Sequence, residues 1–148
     1  MMKTFLRKHM NGGINTMYNK YIRKILKPIL VENGYEPDPP RSLRTFKKNT
    51  KTGFTIYIEI QKERRRPWIT INILISEAGE ECSFVNCRLG KLVYSSRDIW
   101  WSVESSKIEN SFQDIVTIIK ETMLPVLEKW ENQEFINEFL ENPRYRSW

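Results

Sequence analysis

Two consecutive segments of the chain alternate apolar and polar residues with a period of two, the pattern of a β-strand with one buried face. The first runs from Phe54 to Gln61 and the second from Ile69 to Ser76, and isoleucine fills all but one of their inward positions. The connection between them is too short for the crossover helix that a parallel pair of strands needs. The sequence therefore predicts an antiparallel hairpin whose isoleucine-rich face must be covered by other elements.

An amphipathic helix is predicted before the hairpin, from Met17 to about Asn33. Its apolar residues recur at helical spacing, and lysine and arginine lie on the opposite side. Pro28 is expected to kink this helix or end its regular part, and Gly34 to stop it. The segment Glu36 to Pro40, E-P-D-P-P, is expected to be an extended linker.

Weaker patterns complete the sheet and add helices after it. Ser42 to Asn49, Ser83 to Leu89 and Asp98 to Val103 are predicted strands, and a helical pattern after them is interrupted near Pro125. Asn132 is expected to cap the last helix. The predicted fold class is α+β: an N-terminal amphipathic helix, an antiparallel meander sheet of four to five strands, and C-terminal helices packed on one sheet face.

The chain of 148 residues is predicted to hold one domain. Residues 1–16 lack the apolar core of a signal peptide and show no helical period, so we expect a loose N-terminal arm or a mis-assigned translation start. Residues 17–148 are expected to form a single α+β domain. Without an export signal or an apolar run of about 20 residues, the sequence predicts a cytoplasmic protein with no membrane association.

Charge is distributed unevenly along the chain. Residues 1–66 contain 16 basic and 5 acidic residues, whereas residues 67–148 contain 8 and 13, so a segment of formal charge +11 precedes one of −5. Such asymmetry points to an anionic partner, or to the two segments packing on each other. We keep both interpretations at this stage.

Several chemistries lack the residues that they need. The single histidine is His9, outside the predicted domain, so no imidazole base is available for a serine or cysteine triad. Cys82 and Cys87 offer at most two sulfur ligands, fewer than a zinc site requires, and they could pair only in an oxidising compartment. The glycines are scattered and form no phosphate-binding loop. We therefore predict no metal, no cofactor and no catalytic residue, and favour a protein that is not an enzyme.

The densest basic cluster is the tip of the predicted hairpin, and antiparallel pairing should bring further basic residues near it. If the preceding turn centres between Lys51 and Thr52, Arg44 lies opposite Glu59, which it would neutralise, and Arg41 lies opposite Lys62, to within two residues. Tyr57 lies on the polar face with Glu59, where a ligand could bind if helices cover only the other face. The candidate basic surface consists of Arg41, Arg44, Lys62, Arg64, Arg65 and Arg66, with Gln61 and Asn72 also on the polar face.

A second group of candidates follows the sheet, at R-L-G from Arg88 to Gly90 and D-I-W-W from Asp98 to Trp101. Gly90 suggests a turn with positive φ, and Asp98 is expected to pair with Arg88 or Arg97. If Trp100 and Trp101 lie on a strand, one is buried and the other exposed as a contact residue. The candidate binding surface therefore includes Arg88, Asp98, Trp100 and Trp101.

These segments resemble a known protein family. The order of elements, L-K-P-I-L at Leu26 to Leu30, N-G-Y at Asn33 to Tyr35, F-K at Phe46, and the R-L-G and D-I-W-W segments are similar to the domain-of-unknown-function family 4304, from about Met17 to Glu141. The resemblance implies a small α+β bacterial protein in an intracellular setting. It implies no catalytic residue.

Three functions remain open on the sequence. The first is a non-enzymatic module that binds a protein partner, such as an accessory or immunity-type protein. The second is binding of nucleic acid or another polyanion through the basic N-terminal half. The third is an enzyme of unknown class that uses carboxylates such as Glu59 or Asp98. The sequence does not specify an oligomeric state.

Overall fold

The computed structural model describes residues 17–80, 83, 85–94 and 98–141. The expected N-terminal arm, residues 1–16, lies outside the described residues. Within them, an N-terminal helix, an antiparallel sheet and C-terminal helices follow one another along the chain, so the predicted α+β class is confirmed. No helix in the described ranges has the length and apolar character needed to cross a membrane.

Within the described ranges the sheet has six strands, all paired antiparallel, in the spatial order β1-β2-β3-β4-β5, and β6 pairs with β4 beyond the end of β5. The two long central strands are the hairpin expected from the alternating isoleucines. The strand bounds are β1 Glu36–Pro37, β2 Thr45–Asn49, β3 Phe54–Lys62, β4 Trp68–Glu77, β5 Val85–Arg88 and β6 Trp101–Ser102.

The core lies on the isoleucine-rich face of β3 and β4. Ile56, Ile58 and Ile60 stand opposite Ile75, Ile73 and Ile71, and all six side chains are almost fully buried. Burying one such side chain contributes about 1.5–3 kcal/mol. The helices cover this face with their own apolar residues, among them Ile22, Leu26, Phe112 and Ile115.

Helix α1 spans residues 17–32 and passes through Pro28 without ending there. The regular α-helix is interrupted at Ile22–Leu26 by a π-helical turn, in which the Lys27 N–H bonds the Ile22 carbonyl. Proline has no N–H and its ring crowds the carbonyl one turn earlier, and the wider π turn accommodates both. At the C-terminal end Gly34 has φ +91° and the Tyr35 N–H reaches the Leu30 carbonyl, which confirms the predicted stop.

A second helix also continues past a proline by means of a π-helical turn. Helix α3 spans residues 108–131, with a π-helical turn at Ile119–Met123 directly before the Leu124-Pro125 pair. It closes in a short 3₁₀ turn, Lys129–Glu131. The predicted interruption near Pro125 is therefore a change of helical pitch rather than a break.

Trp130, at the end of α3, joins the C-terminal helix to the sheet. Its fully buried ring packs edge-on against Phe54, Phe135 and Phe139, with ring centroids 4.9–5.7 Å apart. The Trp130 carbonyl also accepts a hydrogen bond from the Thr52 hydroxyl, in the turn between β2 and β3. The last helix, α4, is Gln133–Glu141, and the Asn132 side chain accepts the N–H of residue 134, as its predicted role as N-cap requires.

Three connections differ in part or in whole from what the sequence predicts. The segment Glu36 to Pro40 is not only a linker, because its first two residues form the edge strand β1 before a cis Asp38-Pro39 bond. Gly90 lies in the first turn of a short helix, α2 (Leu89–Tyr94), instead of a turn with positive φ. Of the predicted strand Asp98 to Val103, only β6 is a strand. The residues before β6 cross β4 instead, and the Ile99 carbonyl accepts a hydrogen bond from the Thr70 hydroxyl there.

Two buried tyrosines make the fold sensitive to alkaline pH. Burial raises the pKa of Tyr18, and burial together with the negative charges of Glu128 and Glu131 raises the pKa of Tyr35. A phenol whose pKa is raised in the folded state stabilises the fold below the unfolded pKa of about 10 and loses that contribution as the pH rises further.

We therefore expect the free energy of unfolding to fall above about pH 10, by up to roughly 1.4 kcal/mol per pH unit for a tyrosine that stays protonated in the folded state. Denaturant unfolding at about pH 9 and pH 11 measures this loss. The Tyr35→Phe variant should lose a large part of the dependence. Equal stability of the wild-type protein at the two pH values would contradict this account.

Candidate functional site

The helices cover one face of the sheet and leave most outward side chains of β2 to β5 half-exposed or exposed, whereas the outward Thr55, Thr70 and Ser76 are buried. We call this surface the open face. Alternation along each strand and the antiparallel register place polar side chains of neighbouring strands next to one another there. The open face comprises Thr45, Lys47, Tyr57, Glu59, Gln61, Asn72, Leu74, Asn86 and Arg88.

A fixed arrangement of amides occupies the middle of the open face. The Asn72 side-chain nitrogen donates to Gln61 Oε1 at 2.8 Å and to Glu59 Oε1 at 3.2 Å. Both of its hydrogens are then used, so Asn72 presents its carbonyl oxygen and Gln61 presents its NH₂ group to any ligand. The network orients one acceptor and two donors before a ligand arrives.

The register between β2 and β3 lies within the expected margin of two residues, but the pairing of Arg44 with Glu59 is wrong. Glu59 stands opposite Thr45, because the strands pair symmetrically about Thr52 in the turn of residues 50–53. A shift of one residue moves a side chain to the other face of a sheet. Arg44 accordingly lies over the ring of Tyr18 on the helix-covered side, with 5.4 Å from Cζ to the ring centroid.

Arg88 and Asp98 meet at the edge of the open face. Arg88 Nη1 donates to Asp98 Oδ2 at 2.5 Å, which confirms one of the two pairings expected for Asp98. The Arg88 guanidinium also lies over the ring of Trp100, 5.2 Å from its centroid. Arg88 therefore links the last strand of the open face to the segment that crosses β4.

A cavity of about 470 Å³ lies between the amides and this ion pair. Its volume falls in the range of small-ligand sites. Two cations, one carboxylate and three amides contribute to its walls. The lining residues are Gln61, Asn72, Asn86, Cys87, Arg88, Lys91 and Asp98.

Trp100 and Trp101 have different environments. Trp101 is 5% exposed, lies opposite Ile69 on the core side, and donates its indole N–H to Asp114 of α3 at 2.7 Å. Trp100 is half-buried beside Arg88. Of the two, only Trp100 is placed to contact a partner at the open face.

The hairpin between β3 and β4 presents its basic residues in an ordered turn. The Glu63 carboxylate accepts the backbone N–H groups of Arg65 and Arg66, and the three arginines of the tip are exposed. Arg66 lies over the ring of Trp68, 4.7 Å from its centroid. We call Arg64, Arg65, Arg66 and Trp68 the basic tip.

The other basic candidates lie near the basic tip, at the same end of the sheet, but not on the open face. Arg41 precedes β2 and is exposed, so it has no strand partner opposite Lys62. Lys62 shares the helix-covered side with Arg44, and its ammonium donates to the Glu63 carbonyl. Of the predicted residues, the open face thus brings together Tyr57, Arg88, Asp98 and Trp100.

The sequence analysis missed two residues of the cavity. Asn86 alternates with the buried Val85 and Cys87. This alternation, read within the predicted strand, places Asn86 on the polar face. Lys91 lies on α2, a helix that the sequence analysis did not predict. Its position beside β5 depends on the tertiary fold.

The described residues contain no group of three or more histidine, cysteine, aspartate or glutamate side chains that could hold a metal ion. Cys87 is a buried free thiol. Cys82 lies outside the described residues, and so does the question of a disulfide between the two cysteines. Burial raises the pKa of the Cys87 thiol more than the nearby Lys91 charge lowers it. The thiol form is therefore favoured at neutral pH.

Comparison with known proteins gives no match among family models, curated proteins or solved structures. The resemblance to family 4304 stays a prediction.

Cys87 should react slowly with thiol reagents while the protein is folded. In a Cys82→Ser variant, which leaves a single thiol, we expect the rate of reaction with a disulfide reagent at about pH 8 to be roughly 10²-fold or more below the rate in denaturant, because the fold must open first. Comparable rates in the two conditions would show that Cys87 is accessible and its thiolate readily formed.

Proposed function

We propose that the protein is a non-enzymatic interaction module, of the accessory or immunity type, that binds a protein partner in the cytoplasm through the open face. The observation that supports this most directly is that helices cover only one side of the sheet. Most of the other side, apart from the part of β4 that the Ile99 segment crosses and the buried Thr55 and Ser76, remains accessible and carries mixed polar and aromatic residues.

The residue types of the open face suit a protein interface. Tyrosine, tryptophan and arginine are enriched among the residues that dominate binding energy, and Tyr57, Trp100 and Arg88 are of these types. Arg88 is held by Asp98 and Trp100, and Asn72 by its two acceptors. Side chains that are already ordered lose less conformational entropy when a partner binds.

Both charge signs occur on and beside the open face. Lys47 lies between the carboxylates of Glu36 and Asp38, 4.0 and 3.7 Å away, and Arg88 pairs with Asp98. A polyanion would meet carboxylates here, whereas a protein surface can present complementary groups of both signs. This pattern favours a protein over a nucleic acid as the occupant of the open face.

Site-specific photo-crosslinking tests this proposal. A photoreactive phenylalanine analogue at position 57, on the open face, should form an adduct with one protein partner in cells that produce the protein from its natural locus. The same analogue in place of the exposed Lys24, on α1, should form none. An adduct pattern identical at the two positions, or none at position 57, contradicts the assignment of the open face as the interface.

The basic tip supports a second candidate function, the binding of nucleic acid or another polyanion. Arg64, Arg65 and Arg41 are exposed, and none of them forms an ion pair within the part of the chain that the structure describes. One ion pair, between Lys48 and Glu131, joins the basic and acidic segments among those residues. Packing of the two segments on each other therefore neutralises little of the basic charge. Trp68, next to the exposed arginines, could stack on an unpaired base.

Fluorescence anisotropy with labelled single- and double-stranded DNA and RNA tests this second function. Binding through six or more phosphate contacts should weaken by roughly 10³ or more between about 50 and 200 mM salt. An Arg64→Ala, Arg65→Ala, Arg66→Ala variant should lose it. The charge-matched control Lys107→Ala, Lys120→Ala, Lys129→Ala, on or next to α3, should retain it. Equal losses in both variants, or no binding at low salt, would reject a role for the basic tip.

A further inference from the structure

The cavity on the open face has an excess of hydrogen-bond donors over acceptors. Arg88 and Lys91 contribute cationic donor groups to its lining, and Asp98 contributes a carboxylate. The Gln61 NH₂ group is directed by its bond from Asn72 and adds two neutral donors. A group that fits such a lining carries negative charge and accepts several hydrogen bonds at once.

The ion pair between Arg88 and Asp98 shows how such a group would bind. The guanidinium has five N–H donors, and Asp98 accepts from one nitrogen, Nη1. The Arg88 side chain is 33% exposed and the Asp98 side chain 61% exposed, so both partners of the ion pair are accessible to solvent. Exposed ion pairs of this kind are weak, and a competing carboxylate can replace one partner.

We propose that this cavity is a carboxylate-binding site and that Asp98 occupies part of it when no ligand is bound. The incoming carboxylate takes the place of the Asp98 carboxylate on Arg88. The Lys91 ammonium and the Gln61 amide flank it, and Trp100 stacks on the guanidinium and keeps its plane fixed.

The carboxylate can come from two sources. One is a free small dicarboxylic acid, for which the cavity volume is sufficient. The other is an acidic side chain of the protein partner, and this version rests on the proposed function of the open face. Both sources present the same chemical group to Arg88, and the experiment separates them.

Nuclear magnetic resonance titration of the full chain tests the site. The probes are succinate and a short peptide of alternating glutamate and glycine, with a glutamine-glycine peptide as the neutral control. Saturable shifts of the Gln61 and Asn86 side-chain amide signals are expected with at least one acidic probe. Shifts with succinate identify a small-ligand site, and shifts with the acidic peptide alone identify a partner-borne carboxylate.

Two variants and a control separate competition from general charge attraction. Asp98→Asn should bind the probe about 2- to 5-fold more tightly, because the internal competitor is gone while Arg88 remains. Arg88→Gln should weaken binding about tenfold or more. Arg23→Gln, which removes the same charge from the helix-covered side, should bind like the wild-type protein.

The inference is overturned if neither acidic probe shifts the amide signals, if Asp98→Asn binds no more tightly, or if Arg23→Gln loses as much affinity as Arg88→Gln. Circular dichroism confirms that each variant is folded. A crosslink from position 57 in a protein that fails all carboxylate titrations would leave the interaction module standing and remove only this site.

Discussion

The structure depends on the contact between the isoleucine face of the central hairpin and the helices that cover it. Three isoleucine pairs across β3 and β4 form a continuous apolar surface, which two strands alone cannot shield from water. Because the inward positions between the strand ends are used in this way, the outward positions are free to be polar. The open face and its cavity exist because the whole core lies on one side.

Both long helices reach that core by the same adjustment. In α1 and in α3 a π-helical turn of five residues ends two residues before a proline. The wider turn lets each helix continue past a residue that would otherwise break it, and the buried faces stay directed at the sheet on both sides of the proline. The apolar periodicity of each helix is thereby preserved over its full length.

Much of this fold could be predicted from the sequence, because local signals and burial agree there. The alternation of β3 and β4, the stop at Gly34 and the cap at Asn132 each follow from residues close together in the chain. The errors arose where tertiary structure decides. Pairing centred on Thr52, in the turn of residues 50–53, shifted the register by one. The elements β1 and α2 are too short to carry a periodic pattern.

In the candidate site, too, local sequence patterns could be predicted and arrangements that depend on tertiary structure could not. Tyr57, Glu59, Gln61 and Asn72 could be placed on one face by alternation alone, and the Arg88 to Asp98 pair by charge. The cavity could not be foreseen, since it forms only where α2 places Lys91 beside the strands and the segment after α2 crosses β4 and brings Asp98 to them.

The position of Trp130 has a consequence for synthesis on the ribosome. The hairpin of β3 and β4 leaves the ribosome well before Trp130 and Phe139, which complete the core around Phe54. At the usual rate of translation this interval lasts roughly 3–12 s. During those seconds only α1 is available to cover the isoleucine surface, and chaperone binding in that interval would protect the remainder from aggregation.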